Sequence, residues 1–181
     1  MNPRAVLAHP PAGVPRIRPA GAADLARMNA VVERAIATWQ LPERVKRLSL
    51  PSYRYHAHDL LHLHLAVAEA DDAIVGVAAW EDASARDVPG GARGLLLHGL
   101  YVDPSHQRRG LGSALLDAAV AAARAGGFDG VLVKAQADAS GFFASRGLQR
   151  LPVEDPARDY AHRFWLAVRP EAHHRDHQST I

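Results

Sequence analysis

Leu95-Leu96-Leu97-His98-Gly99-Leu100-Tyr101-Val102-Asp103-Pro104 and, two residues on, Gln107-Arg108-Arg109-Gly110-Leu111-Gly112-Ser113 decide the fold. An apolar run of strand length stops at Asp-Pro, crosses a short basic glycine loop and opens a helix. Such a loop aims backbone N–H groups and the positive end of a helix dipole at one spot. That suits an anionic phosphate.

Outward from this stretch the chain reads as alternating short elements. Arg16-Ile17-Arg18 is a first strand. Asp24 opens a helix in which Leu25, Met28, Val31, Val32, Ala35 and Ile36 recur at helical spacing through Trp39. Residues 43–60 read as irregular or partly helical. His62–Glu69 and Ala73–Glu81 form a hairpin turned by Asp71-Asp72. After the glycine loop, Leu111, Ala114, Leu115, Ala118, Ala119 and Ala122 give a helix one small-residue apolar face, ended by Gly126-Gly127. Val131-Leu132-Val133 is a buried strand, Asp138–Arg146 a short helix, and Gly147–Val153 and Tyr160–Val168 the last two strands. The fold class is α+β, sandwich-like: one domain over 15–169 with a mixed, mostly antiparallel central sheet of about seven strands flanked by helices. Residues 1–14 read as a disordered lead-in, and 170–181 as a polar tail with His173, His174 and His177.

The bulk numbers narrow the class. At 181 residues the chain fits one domain with a real core. With no cysteine it has neither disulfide, thiolate metal site nor cysteine nucleophile. A net charge of +2 argues against a nucleic-acid partner. No run of 18 apolar residues argues for a membrane span, and the first fifteen residues lack the apolar core of a secretory signal. The expected location is cytoplasmic. His62 and His64 share a strand face by alternation, but no carboxylate completes a site there, so no metal is expected.

Three phosphate loops compete for Gln107–Ser113. A Walker loop needs Gly-Lys-Ser/Thr, and the lysine is missing. A dinucleotide fingerprint needs a third glycine, absent from Gly110-Leu111-Gly112-Ser113-Ala114-Leu115. The third pattern, Gln/Arg-x-x-Gly-x-Gly/Ala, is met at every specified position by Gln107-Arg108-Arg109-Gly110-Leu111-Gly112. In that pattern the chain resembles the GCN5-related N-acetyltransferase (GNAT) superfamily. The likeness extends to Ile17-Arg18-Pro19-Ala20 with Asp24-Leu25, to the Val-Asp-Pro strand end, and to Ala139-Ser140-Gly141-Phe142-Phe143-Ala144-Ser145-Arg146-Gly147-Leu148. It covers roughly residues 15–169, with its blocks in the family's order.

The resemblance implies acetyl-CoA as cosubstrate, a primary amine as acceptor, direct attack on the thioester, and no metal. The amides of Arg108, Arg109, Gly110, Leu111, Gly112 and Ser113 would hold the diphosphate, with Gln107 leading in and the two arginines adding charge. Main-chain groups of the central strand over Leu100, Tyr101 and Val102 would pair with the pantetheine arm, and Gln136 would hydrogen-bond its amides. Phe143 stands where many relatives carry a tyrosine that protonates the departing thiolate; phenylalanine cannot do that. The pattern His98-Gly-Leu-Tyr-Val matches the His-x-Leu-x-Val spacing of arylalkylamine acetyltransferases, which makes His98 the expected base. A histidine titrates near neutrality and so can accept the amine proton. Glu69 and Glu81, at strand ends of the hairpin, are rival bases. Tyr53, Tyr55 and Trp80 are the expected acceptor-lining residues, aromatic faces being suited to an arylalkyl or cationic amine. The acceptor is expected to be a small molecule. Protein N-termini or lysines are the alternative, and a non-catalytic acyl-CoA-binding regulator the alternative of another class. A homodimer is compatible with the family.

Overall fold

The computed structural model describes residues 15–168. The expected lead-in over 1–14 and the His-rich tail over 170–181 lie outside the described residues. Seven strands form one open sheet: β1 (Arg16–Pro19), β2 (His64–Ala70), β3 (Ala73–Asp82), β4 (Gly94–Val102), β5 (Gly130–Lys134), β6 (Gln149–Arg150) and β7 (Arg163–Ala167). Their order is β1-β2-β3-β4-β5-β7-β6. The helices are α1 (Leu25–Ala37), α2 (Glu43–Tyr53), α3 (Leu111–Ala125) and α4 (Ser140–Ser145). None is long and apolar enough to cross a membrane among the described residues. The chain divides into two compact units: the residues through Glu81 with Leu97–Ala119, and Asp82–Leu96 with the residues from Val120 onward.

In the first unit the apolar period of α1 does what its spacing predicts. Met28, Val31, Val32, Ala35 and Ile36 are all buried, each such side chain contributing about 1.5–3 kcal/mol when removed from water. They pack with Leu65, Val67, Val77, Ala79, Tyr55 and Tyr101. The turn into α1 is fixed by a buried carboxylate. Asp24 accepts from the Gly21 amide at 2.9 Å and from both terminal nitrogens of Arg18 at 2.7 and 2.9 Å. The Arg18 hydrogen bonds, with the Gly21 amide second, hold that carboxyl well below the usual carboxylate range. Arg18 also reaches Glu69 at 2.6 Å, so one guanidinium ties β1, β2 and the start of α1 together. The β2–β3 hairpin closes on Asp71 and Asp72, both in the left-handed region at φ 48° and 61°. That is the twist a two-residue hairpin loop demands, and aspartate tolerates it.

Residues 43–60 are partly helical, as the sequence suggests: Glu43–Tyr53 is a continuous helix. It buries no residue and carries Pro51 in its last turn, so the buried stripe that betrays a helix in a sequence is missing. The start of β2 needs correction. The strand begins at His64, not His62: His62 ends a 3-10 turn over Asp59–Leu61, its ring 4.5 Å from that of His58. His62 and His64 therefore do not share a strand face.

The second unit carries the end of α3, closed by the Phe128 amide on the Ala123 carbonyl at 2.9 Å. β5 and β7 pair antiparallel, with Leu132 opposite Trp165, and β6 adds to β7. The last two strands are shorter than their sequence suggests. Asp159 accepts from the amides of Glu154 and Asp155 at 3.0 and 3.1 Å and pairs with buried Arg163 at 3.2 Å. Those bonds commit the stretch before β7 to a tied loop and leave only Gln149–Arg150 and Arg163–Ala167 as strand.

Candidate active site

The first unit contains the whole glycine loop, the C-terminal part of β4 and the expected base. β4 ends where Asp103 turns the chain. Its amide donates to the Val75 carbonyl at 2.9 Å. Its carboxylate accepts from the Ser105 amide (3.0 Å), the Ser105 hydroxyl (2.6 Å) and Arg34 Nε (2.6 Å). Burial alone would raise this carboxyl, but the donors from Ser105 and Arg34 outweigh it and hold Asp103 below the usual range. Pro104 then fits the first position of a 3-10 turn over Pro104–His106.

Beyond that turn Gln107, Arg108, Arg109 and Gly110 are exposed. Arg108 has φ 60° and Gly110 φ 79°. A left-handed arginine is disfavoured by roughly 1–2 kcal/mol, and such strain persists where it shapes a functional loop. Gly110 meets the same backbone demand without a Cβ. Among the described residues nothing beyond its chain neighbours lies within 4 Å of where that Cβ would stand, so close approach there is open. The first intrahelical bond of α3 runs from the Ala114 amide to the Gly110 carbonyl at 2.9 Å. The amides of Leu111, Gly112 and Ser113 precede it and have no acceptor inside the helix. Leu111 itself is 4% exposed: its side chain anchors the helix while its amide stays at the open end. The loop thus presents the helix-start amides of Leu111, Gly112 and Ser113 with two exposed arginines beside them.

His98 stands on β4, four residues before Val102, with its side chain about half exposed at 48%; Nδ1 is 3.6 Å from Oε1 of Glu81. That contact is longer than a hydrogen bond and leaves the imidazole with a carboxylate neighbour on its Nδ1 side. Of the rival bases, Glu69 is consumed by Arg18, whose hydrogen bond holds it below the usual range. Glu81 is instead the neighbour of the histidine.

The expected acceptor aromatics separate. Tyr53 lies edge-on to Trp39 at 5.2 Å, and Trp39 stacks on Tyr101 at 6.5 Å. Tyr55 is buried at 4% exposure, its main chain clamped by Asn29 through two 2.8 Å hydrogen bonds. Tyr55 therefore offers no ring face to a ligand. Trp80 belongs to a different cavity of about 400 Å³, lined also by His64, Leu60, Leu63, Ile17 and Ala118, which neither Tyr53 nor Tyr55 lines. Leu100 and Val102 are half-buried on β4, whereas the side chain of Tyr101 is in the core, leaving its main chain for pairing.

Gln136 and Phe143 lie in the second unit. Gln136 caps the 3-10 turn before α4 and is half-buried. Phe143 is 4% exposed, its ring 5.1 Å from Phe142 and 6.2 Å from Phe164. It is a core aromatic of that unit. Reading the sequence missed Arg34, Asn29 and Trp39, whose roles depend on partners far away in the chain.

Residues 31–148, more than half of the chain, match the sequence profile of the Acetyltransferase (GNAT) family. The chain belongs to that family. Solved structures of the same fold include the PaiA N-acetyltransferase of Thermoplasma acidophilum in complex with coenzyme A (TM-score 0.65, 15% identity, 85% of this chain and 99% of that one). A GCN5-related N-acetyltransferase of Rhodopseudomonas palustris has TM-score 0.63 at 23% identity over 88% of this chain and 99% of that one. A GNAT family acetyltransferase of Brucella melitensis in complex with acetyl-CoA has TM-score 0.60 at 21% identity over 87% and 90%. At these identities the likeness is one of fold. Among curated proteins no sequence matches.

Proposed function

We propose that this chain transfers the acetyl group of acetyl-CoA to a primary amine of a small molecule, by direct attack of the amine on the thioester. The observation that carries the reading is the exposed loop from Arg108 to Gly110, opening into the helix-start amides of Leu111, Gly112 and Ser113, on the chain that leaves the strand bearing His98. Family membership supplies the reaction class. The acetyl-CoA and CoA complexes of similarly folded proteins agree with it.

In this reading the loop amides and the side chains of Arg108 and Arg109 hold the diphosphate, and Gln107 sets the loop's entry. The main chain of Leu100, Tyr101 and Val102 pairs with the pantetheine arm, and Gln136 bonds its amides. His98 takes the proton that the attacking amine must lose; alkyl ammonium, like lysine, has a pKa of about 10.4 and is not a nucleophile while protonated. Glu81 orients the imidazole and stabilises it once protonated. The C–N bond forms as the carbonyl pair moves to oxygen, and its return expels the thiolate. Phe143, standing where many relatives carry a tyrosine, has no proton to give, so water protonates the thiolate. Of the acceptor aromatics Trp80 remains, with the cavity it lines, since Tyr53 packs on Trp39 away from that cavity.

One observation favours a second reading. Buried Phe143 removes the donor that many relatives carry, as it would in a non-catalytic acyl-CoA-binding protein. Purified protein mixed with acetyl-CoA and a panel of small amines and peptides separates the cases by release of free thiol. Thiol with small amines supports the proposal. Thiol with peptides alone moves the acceptor to protein, and tight CoA binding with no thiol from any acceptor replaces enzyme by sensor.

A further inference from the structure

The antiparallel register of β2 and β3 sets His64 directly opposite Trp80, so both side chains stand on one face of the sheet. Both line the cavity of about 400 Å³, a size common to small-molecule sites. Its other walls are mostly apolar: Ile17 from β1, Leu60 and Leu63 from the segment before β2, and Ala118 from α3, all in the first unit. Neither His64 nor Trp80 has a side-chain hydrogen-bond, ion-pair or ring partner among the described residues. That separates Trp80 from Trp39, whose ring is spent on Tyr53 and Tyr101. Half-buried Trp80 thus brings a bare indole face and an unused N–H to an apolar cavity, and exposed His64 brings an unused imidazole.

Charge narrows the occupant. Among the lining residues Arg18 alone carries a permanent charge, and Asp24 at 2.7 Å and Glu69 at 2.6 Å answer it. No carboxylate lines the cavity. A charged group drawn inside would therefore lose water and gain no ion partner, which costs far more than burying a neutral one. An aromatic ring, by contrast, gains apolar area and a ring contact. We propose that this cavity binds the uncharged aromatic body of a small molecule, its ring against Trp80 and a hydroxyl or carbonyl oxygen bonded to His64 or to the Trp80 N–H. Assigning that body to the acetyl acceptor, with the amine kept outside, rests on the acetyl-transfer reading; a separate neutral ligand of the same chemistry is the other source.

Calorimetric titration with naphthylmethanol and with naphthoate presents one ring system as alcohol and as anion. Expected is saturable binding of the alcohol, at least about tenfold tighter than the anion. His64→Ala weakens it by about three- to tenfold, and Ala118→Phe, which fills the cavity from α3, abolishes it at unchanged Tm. No binding of the alcohol, equal affinity for the two probes, or full binding by a folded Ala118→Phe overturns the proposal. Should that variant not fold, the Trp80 indole N–H resonance, assigned with Trp80→Phe, decides. It must move as the alcohol is added while those of Trp39 and Trp165 stay, and a static Trp80 signal overturns the proposal too. Thiol release from acetyl-CoA with naphthylethylamine reads the source. A KM for this amine that rises in either variant gives the body to the acceptor, whereas no turnover or an unchanged KM gives the cavity to a separate ligand. A protein that binds the alcohol yet acetylates no amine sinks the acetyl-transfer reading alone; an active enzyme that does not bind the alcohol sinks this proposal alone.

Discussion

Nε of Arg34, on α1, lies 2.6 Å from Oδ2 of Asp103, the residue that ends β4 and begins the turn into the glycine loop. Asp103 is buried and Arg34 half exposed, so the carboxylate depends on its donors more than the guanidinium depends on its acceptor. The pair fixes the entry to the glycine loop from a helix that contributes nothing else to it. Arg34→Ala leaves Asp103 with the Ser105 donors alone. Its expected effects are about 1 kcal/mol less stability, because half the ion pair is in water, and a several-fold weaker affinity for CoA at unchanged kcat. Calorimetric titration with CoA alongside steady-state kinetics checks this. A changed kcat at constant affinity would place Arg34 in the chemistry instead.

The contact between His98 and Glu81 predicts graded losses. His98→Ala is expected to lower kcat by about 10²-fold or more, the range of general base catalysis, with a smaller change in KM for acetyl-CoA. Glu81→Gln keeps the shape, removes the charge that supports the imidazolium, and gives a smaller fall in kcat. A double variant no worse than His98→Ala shows that Glu81 acts through the histidine. Additive losses would mean that it acts on its own.

Stability at low pH follows from paired carboxylates. Asp24, Glu69, Asp103 and Asp159 are all held below their ordinary values, Asp159 at about 2. A group whose folded pKa is depressed contributes stability above its unfolded pKa of about 4, and that contribution fades as pH falls through the folded value. Urea unfolding is therefore expected to change little between pH 7 and 5 and to weaken steeply from about pH 4 towards 2. Asp24→Asn breaks the buried pair with Arg18. It should lose about 3 kcal/mol at pH 7 and flatten the acid slope. A variant with the wild-type slope would remove Asp24 from the account of acid unfolding.

Much of this is legible along the chain, because the signals are local. The α1 stripe from Met28 to Ile36, the Asp71-Asp72 turn and the strand-loop-helix around Gly110 each show in their own residues. α2 does not: a helix with no fully buried residue, only Leu50 and Tyr53 packed part-way on the core, leaves no clear apolar period to read. The loop tied by Asp159 and Arg163 hides for another reason, since two side-chain bonds override strand-forming residues there. At the site, the glycine loop shows in its own residues, and His98 is singled out by the family resemblance. Arg34 beside Asp103 and, in the core, Tyr55 beside Gly99 are separated by many residues, and only folding brings them together. A glycine in a strand hints at close approach. It does not say by what.

The central claim is that the loop from Arg108 to Ser113 holds the diphosphate of acetyl-CoA, and Gly112→Asp puts it to the most direct test. Aspartate in the first turn of α3 suits the helix dipole and should keep or slightly raise stability, by about 0.3–1 kcal/mol. The same carboxylate would stand at the loop and repel phosphate. Calorimetric titration of acetyl-CoA into the wild type and into this variant, with Tm measured on both, is expected to show binding by the first and none by a fully folded second. Equal affinity in the two proteins would contradict the assignment of the loop, and with it the account of the site.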